Sequence, residues 1–215
     1  MHPDWQDKIH LYAEDHSSPE PAHLQKVTEF TWKKMINPRQ LSGHLQGRFL
    51  ANLITLKNPK CVLEIGSFTG YSTACLAENL SAEARIHSIE ADSETAYKTQ
   101  QFWKEYPIME RVAWHIGPAL DIIPTLNIKP DFIFVDADKR NYKNYLDLCL
   151  PLMPKGGLIL FDNTLWSGKV IDENHQKNDA DTKNMHEFNK YLGQKTNVST
   201  VLLPLRDGLT MSIKL

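Results

Sequence analysis

The 215 residues carry 24 Lys and Arg against 26 Asp and Glu, a net charge of −2 with no basic run, which argues against the usual electrostatic footprint of a nucleic-acid-binding domain. No apolar stretch approaches the roughly 18 residues that a membrane helix needs. Met1–Asp7 has neither the basic n-region nor the apolar h-region of a signal peptide, so a cytoplasmic protein with no membrane partner is expected. Cys61, Cys75 and Cys149 are odd in number and widely spaced, which argues against a disulfide framework or a zinc cluster and for buried thiols in a reducing compartment.

Residues 1–58 read as a helical extension. Pro19-Glu20-Pro21 opens a segment running to about Met35. The stretch from Gly43 to Leu56 carries Leu45, Phe49, Leu50, Leu53 and Ile54 at helical spacing. Asn37-Pro38-Arg39 breaks the chain between them, because proline pushes its predecessor out of helical geometry. From residue 59 the pattern alternates. Strands are predicted over 61–65, 85–90, 112–116, 131–136 and 157–162, with helices over 70–80, 93–106, 118–126 and 141–152 between them. A polar stretch at 172–181 reads as a mobile surface loop before a helix near 181–194. Two late strands near 197–203 and 208–214 follow, joined by a turn at Arg206-Asp207-Gly208. Alternating strands and helices imply an α/β fold with a parallel sheet covered on both faces, and the final hairpin adds at least one antiparallel strand. One domain over 1–215 is expected, its extension either covering a ligand crevice or serving a dimer.

Four apolar runs end at acids, namely Glu64, Glu90, Asp136 and Asp162-Asn163. In a parallel sheet such endings share the carboxyl edge, where ligands bind. The turn Glu64-Ile65-Gly66-Ser67-Phe68-Thr69-Gly70-Tyr71-Ser72 leaves the first strand and opens a helix. Its G-x-x-x-G spacing is not a dinucleotide fingerprint. An acid in place of the first glycine is ill suited to a pyrophosphate and well suited to a cationic ammonium. Glu90, ending the second strand, is placed to accept hydrogen bonds from a ribose. Together these point to S-adenosylmethionine. Read instead as ordinary capping acids, Glu64 and Glu90 would carry no such message.

Asp136, Asp162 and Asn163 offer two carboxylates and an amide carbonyl on neighbouring strand ends. All-oxygen donors of this kind select a hard divalent cation, Mg²⁺ first and Mn²⁺ or Ca²⁺ as alternatives. Open positions would remain for water and for a substrate with two adjacent oxygens, such as a catechol, whose hydroxyl the cation would acidify as a Lewis acid. Lys139, three residues past Asp136, is within reach as general base, unless Asp138 and Lys139 are simply a solvated turn pair. Asp138 and Trp166 are candidate substrate contacts. The nine histidines show no metal-ligand spacing.

The chain resembles the cation-dependent O-methyltransferases, the family of caffeoyl-coenzyme A and catechol O-methyltransferases. The likeness is carried by Val62-Leu63-Glu64-Ile65-Gly66 through Gly70-Tyr71-Ser72, Gly117-Pro118-Ala119-Leu120, Phe134-Val135-Asp136-Ala137-Asp138-Lys139, Asp162-Asn163-Thr164-Leu165-Trp166-Ser167-Gly168 and Leu203-Pro204-Leu205-Arg206-Asp207-Gly208-Leu209-Thr210. It implies a Rossmann-like, doubly wound, seven-stranded sheet with the last strand antiparallel, helices on both faces, and a homodimer. It also implies that Asp136, Asp162 and Asn163 hold the metal and that Lys139 and Asp136 are catalytic. Cofactor contacts would come from Ser42, Gly43, Glu64, Gly66, Ser67, Gly70, Tyr71, Ser72, Glu90, Ala91, Gly117, Pro118, Ala119, Asp136 and Tyr145. Gln40–Gly47 is less acidic than its counterpart in the plant enzymes, and Arg140 stands where an acid is common. The resemblance therefore points to a bacterial-type enzyme with broad catechol or flavonoid acceptance. Methylation of hydroxylated uridine in tRNA is its alternative, disfavoured by the even charge. A cofactor-binding protein without turnover is the reading from a different class, and every polar group expected of an enzyme is present against it.

Overall fold

The computed structural model describes residues 3–215, with side chains from Lys8 onward, so the leader reading at Met1–Asp7 lies outside the described side chains. Seven strands form one sheet: β1 (Cys61–Ile65), β2 (Arg85–Glu90), β3 (Val112–Ile116), β4 (Phe132–Val135), β5 (Leu158–Asp162), β6 (Val198–Leu203) and β7 (Leu209–Lys214). Their order is β3-β2-β1-β4-β5-β7-β6. The first five pair in parallel, and β7 runs antiparallel to both of its neighbours, β5 and β6. The order reverses at β1, which lies between β2 and β4, so a crevice opens outside the carboxyl ends of β1 and β4.

The helices are α1 (Pro3–Asp15), α2 (Ala22–Lys34), α3 (His44–Lys57), α4 (Tyr71–Glu78), α5 (Ser93–Trp103), α6 (Ala119–Ile122), α7 (Tyr142–Cys149), α8 (Glu173–Asn178) and α9 (Ala180–Gly193). Side chains of successive strand residues point to opposite faces of the sheet. Val62, Ile86, Phe132, Phe134 and Leu160 thus pack with Leu24 and Val27 of α2, Leu50 and Ile54 of α3, Leu76 of α4 and Trp103 of α5. Leu63, Ile65, Ile133, Val135, Ile159 and Phe161 pack on the other face with Leu146 of α7 and with Met185, Phe188 and Leu192 of α9.

The N-terminal extension is therefore a working part of one core layer. Leu24, Val27, Leu50 and Ile54 are buried, each contributing about 1.5–3 kcal/mol of burial free energy. Polar pins reinforce the packing against α4. The Tyr71 hydroxyl donates to Glu20 at 2.5 Å, Thr31 and Thr69 share a 2.8 Å hydroxyl bond, and Arg48 Nη2 meets Glu78 at 2.7 Å.

Two expectations change. The polar stretch at 172–181 is not a loop: it forms α8 and the start of α9. Asp172 accepts from the Asn174 amide at 2.7 Å and Asp179 from the Asp181 amide at 3.1 Å, so each acid caps a helix N-terminus. The helix expected over 118–126 shortens to α6 and a 3₁₀ turn, because Pro124 supplies no amide hydrogen to continue it. All three cysteines are free, and burial pushes the Cys61 thiol up to about 11 and Cys149 up to about 12, leaving both inert near neutral pH. No helix among the described residues is long and apolar enough to cross a membrane.

Candidate active site

A cavity of about 730 Å³ opens at the carboxyl edge of the sheet. Its walls bring together Ser42, Gly66, Ser67, Tyr71, Ser72, Glu90, Ala91, Gly117, Pro118, Ala119, Asp136, Asp138, Lys139, Tyr145, Asp162, Asn163 and Trp166. Of the sequence-predicted residues, Gly43, Glu64 and Gly70 do not line it. Gly43 caps α3 beside the Arg206 guanidinium, and Gly70 caps α4 against the Trp103 indole.

One half of the cavity is built from the β1–α4 turn. The Gly66 and Ser67 amides donate to the Ile89 carbonyl at 2.9 and 3.2 Å, bending the chain across the end of β2. Phe68, at a φ of +47°, donates its amide to Glu90 Oε2 at 2.8 Å, and Asp92 donates to Oε1 at 3.0 Å. Glu90 is thereby held at the cavity wall with its carboxyl raised, burial outweighing the two amide donors. Ser67 Oγ is buried and has no partner of its own. An orphaned hydroxyl in the wall is the kind of group a bound polar cofactor satisfies.

Glu64 departs from its expected place. It is fully buried beneath the turn and accepts from Ser72 at 2.6 Å, Thr73 at 2.5 Å and Ser88 at 2.5 Å. Strand alternation turns it inward: Glu64 pairs with Ser88 on β2 and Phe134 on β4, facing the layer of α3 and α4. Burial pushes its carboxyl up to about 7 despite the three hydroxyl donors. It holds the turn and does not touch the cavity.

The other half is anionic. Lys139 Nζ lies 2.7 Å from Asp136 Oδ1 and donates to the Tyr142 hydroxyl at 2.8 Å. Tyr142 is buried and passes its own hydrogen to the Asp162 carbonyl at 2.9 Å. Asp162 Oδ1 accepts from the Asn163 amide and Oδ2 from Gln46 Nε2, both at 2.7 Å. Burial raises the Asp162 carboxyl, and the charge of Asp136 raises it further. Asp138 accepts from the Tyr145 hydroxyl and, at 2.5 Å, from Asn141. Asn163, Trp166 and Ser167 adopt φ values of +58°, +51° and +54°, a concentration of strained backbone at the rim.

Two mutually repelling carboxylates, with one ammonium bonded to Asp136, suit a hard dication. Among the described residues no three His, Cys, Asp or Glu side chains gather as a metal cluster. A cation here would draw on Asp136, Asp162 and the Asn163 carbonyl, which leaves positions for water and acceptor oxygens.

Sequence reasoning missed Gln46, Tyr142, Arg206 and Asp207. Arg206 and Asp207 line the cavity because β7 starts where β5 ends, Leu209 pairing with Asp162. Their signal was present as the hairpin turn, but its placement required the strand order.

A profile of the O-methyltransferase family matches residues 14–215. Caffeoyl-CoA O-methyltransferase 1 of Eucalyptus globulus is 33% identical over 205 residues, covering 89% of this chain and 81% of the relative. Among solved structures, SAH-bound methyltransferase PaMTH1 of Podospora anserina superposes with a TM-score of 0.91 at 26% identity, covering 100% of this chain and 97% of that one. The O-methyltransferase TomG of Streptomyces achromogenes, in complex with SAM, does so with a TM-score of 0.89 at 27% identity, covering 100% and 99%.

Proposed function

This chain belongs to the O-methyltransferase family, and within it we propose a divalent-cation-assisted enzyme that moves a methyl group from S-adenosylmethionine to a hydroxyl of a catechol-type small molecule. It is an S-adenosylmethionine-dependent O-methyltransferase of the caffeoyl-CoA type, as the relatives above and the SAM- and SAH-bound neighbours indicate. The finer reading rests on one observation: Glu90 and the pair Asp136 and Asp162 stand in the walls of one cavity, with Lys139 bonded to Asp136.

The cofactor supplies an electrophilic methyl on a sulfonium, and the cation, where bound, acidifies and orients the acceptor hydroxyl. The rest falls to the chain. Glu90, fixed by two amides, suits the ribose hydroxyls, and Ser67 Oγ offers an unpaired hydroxyl beside them. Lys139 is seated by Asp136 and Tyr142 beside the candidate ligands, and as the free amine, its ammonium proton released to solvent before the acceptor binds, it would take the proton from the acceptor oxygen. Trp166 offers a flat face to an aromatic ring, and Asp138, held by Tyr145 and Asn141, borders the same space. Catalysis is then chiefly alignment of oxygen, methyl carbon and sulfur in line. The family resemblance also implies a homodimer, and the shared core of extension and sheet supports one domain over residues 1–215.

Transfer of labelled methyl from S-adenosylmethionine to a panel of catechols, with and without EDTA, tests the proposal. Turnover that stops on chelation and returns with Mg²⁺ or Mn²⁺ is expected. Activity surviving complete chelation would remove the cation, and inert catechols beside methylated tRNA would move the acceptor to RNA.

A further inference from the structure

Gln46 sits behind the cation half, outside the cavity lining and fully buried on α3. Its Nε2 donates to Asp162 Oδ2 at 2.7 Å across 116 residues of sequence. Its Oε1 receives Arg206 Nη1 at 3.5 Å, and Arg206 Nη2 donates to the Leu41 carbonyl at 3.1 Å. The neighbours dictate how the amide is turned. A carboxylate only accepts and a guanidinium only donates, so the NH₂ must face Asp162 and the carbonyl must face Arg206. With Asn163 N on Oδ1 and Gln46 on Oδ2, the Asp162 carboxylate cannot rotate without losing a donor.

We propose that Gln46 is the positioning residue of the cation site, an uncharged donor that fixes the Asp162 carboxylate for ligation and ties it to Arg206 and Leu41 in the cavity wall. The proposal rests on the cation-assisted reading above. A neutral amide is the group the position requires. A carboxylate there would add a third negative charge beside Asp136 and Asp162, and an apolar side chain would leave Oδ2 buried without its donor. Hydrogen bonds behind a ligating carboxylate set its direction and basicity, and their loss weakens metal binding while the ligands themselves remain. Through Arg206, the same amide links the orientation of Asp162 to two wall segments from opposite ends of the chain.

The test uses the full chain, stripped with chelator and titrated with Mn²⁺ while free ion is read by electron paramagnetic resonance. S-adenosylhomocysteine affinity and Tm are measured beside it. Gln46→Met keeps the side-chain volume and removes the donor. Its Mn²⁺ dissociation constant is expected to rise roughly 10- to 100-fold, with S-adenosylhomocysteine affinity at the wild-type value and Tm lowered only by the loss of the buried hydrogen bond. Mn²⁺ binding equal to wild type overturns the proposal and leaves the cation reading standing. A parallel loss of cofactor affinity and Tm makes Gln46 a packing residue and also overturns it. Wild-type protein that takes up no Mn²⁺ overturns both readings. Should Gln46→Met fail to fold, the exposed variant Arg206→Met carries the test: its Mn²⁺ affinity must fall, and an unchanged affinity overturns the link.

Discussion

Gly66 lies against the backbone of Asp136: a Cβ on residue 66 would come within 2.1 Å of the Asp136 carbonyl oxygen. The turn that ends β1 and the first carboxylate of the anionic half are thus packed backbone on backbone, which is how two strand ends share one crevice. Gly66 also has a φ of +92°, a conformation that L side chains rarely adopt.

Gly66→Ala should therefore misplace both halves together. A destabilisation of about 2–4 kcal/mol in urea unfolding is expected, with cofactor binding lost by calorimetry. Wild-type cofactor affinity in this variant would contradict the close packing.

Lys139→Met should separate chemistry from binding. Removing a general base costs typically ~10²–10⁴-fold in kcat, while S-adenosylmethionine affinity should hold, because Lys139 bonds Asp136 and Tyr142 and not the cofactor half. A drop confined to cofactor affinity would assign Lys139 another task.

Divalent ions should stabilise the protein by mass action. At a hundredfold excess over Kd the gain is about 2.7 kcal/mol, a Tm rise of roughly 5–10 °C for a chain of this size. Asp162→Asn, which removes one of the two carboxylates, should abolish the rise. Differential scanning calorimetry with and without Mg²⁺ reads both outcomes.

Glu64 sets a slope in stability against pH. Its folded carboxyl stands at about 7 against an ordinary value of 4.5, so the folded state holds a proton that the unfolded state releases. The stability from Glu64 is complete below pH 4.5 and is lost as pH rises through about 7. In the cofactor-free protein, Glu64→Gln should flatten this limb relative to wild type. Urea midpoints at matched pH values between 4.5 and 8 measure the difference, and parallel wild-type and variant curves would show that Glu64 is ionised throughout.

The strands, the glycine turn and the acid-ended runs were legible along the chain because each is written in neighbouring residues: apolar runs of four to six, a turn rich in glycine, an acid at the end. α8 was hidden because its residues are polar all round and only Asp172 and Asp179, acting as caps, mark its ends. Burial of the sheet on both faces hid the direction of Glu64, since an apolar strand flanked by helices shows no alternation from which to choose a face.

From the sequence by itself came the class of fold, the carboxyl edge as the place of the chemistry, and the identity of Glu90, Asp136, Lys139, Asp162 and Asn163 as its candidates. Tertiary structure alone decided that Glu64 supports the turn from below, that Tyr142 seats Lys139, and that Gln46, itself met by Arg206 from the other end of the chain, reaches Asp162. Local pattern records which residues form a strand and where it stops. The hydrogen bonds that aim a carboxylate join residues up to 160 positions apart, and strand order and register bring them together.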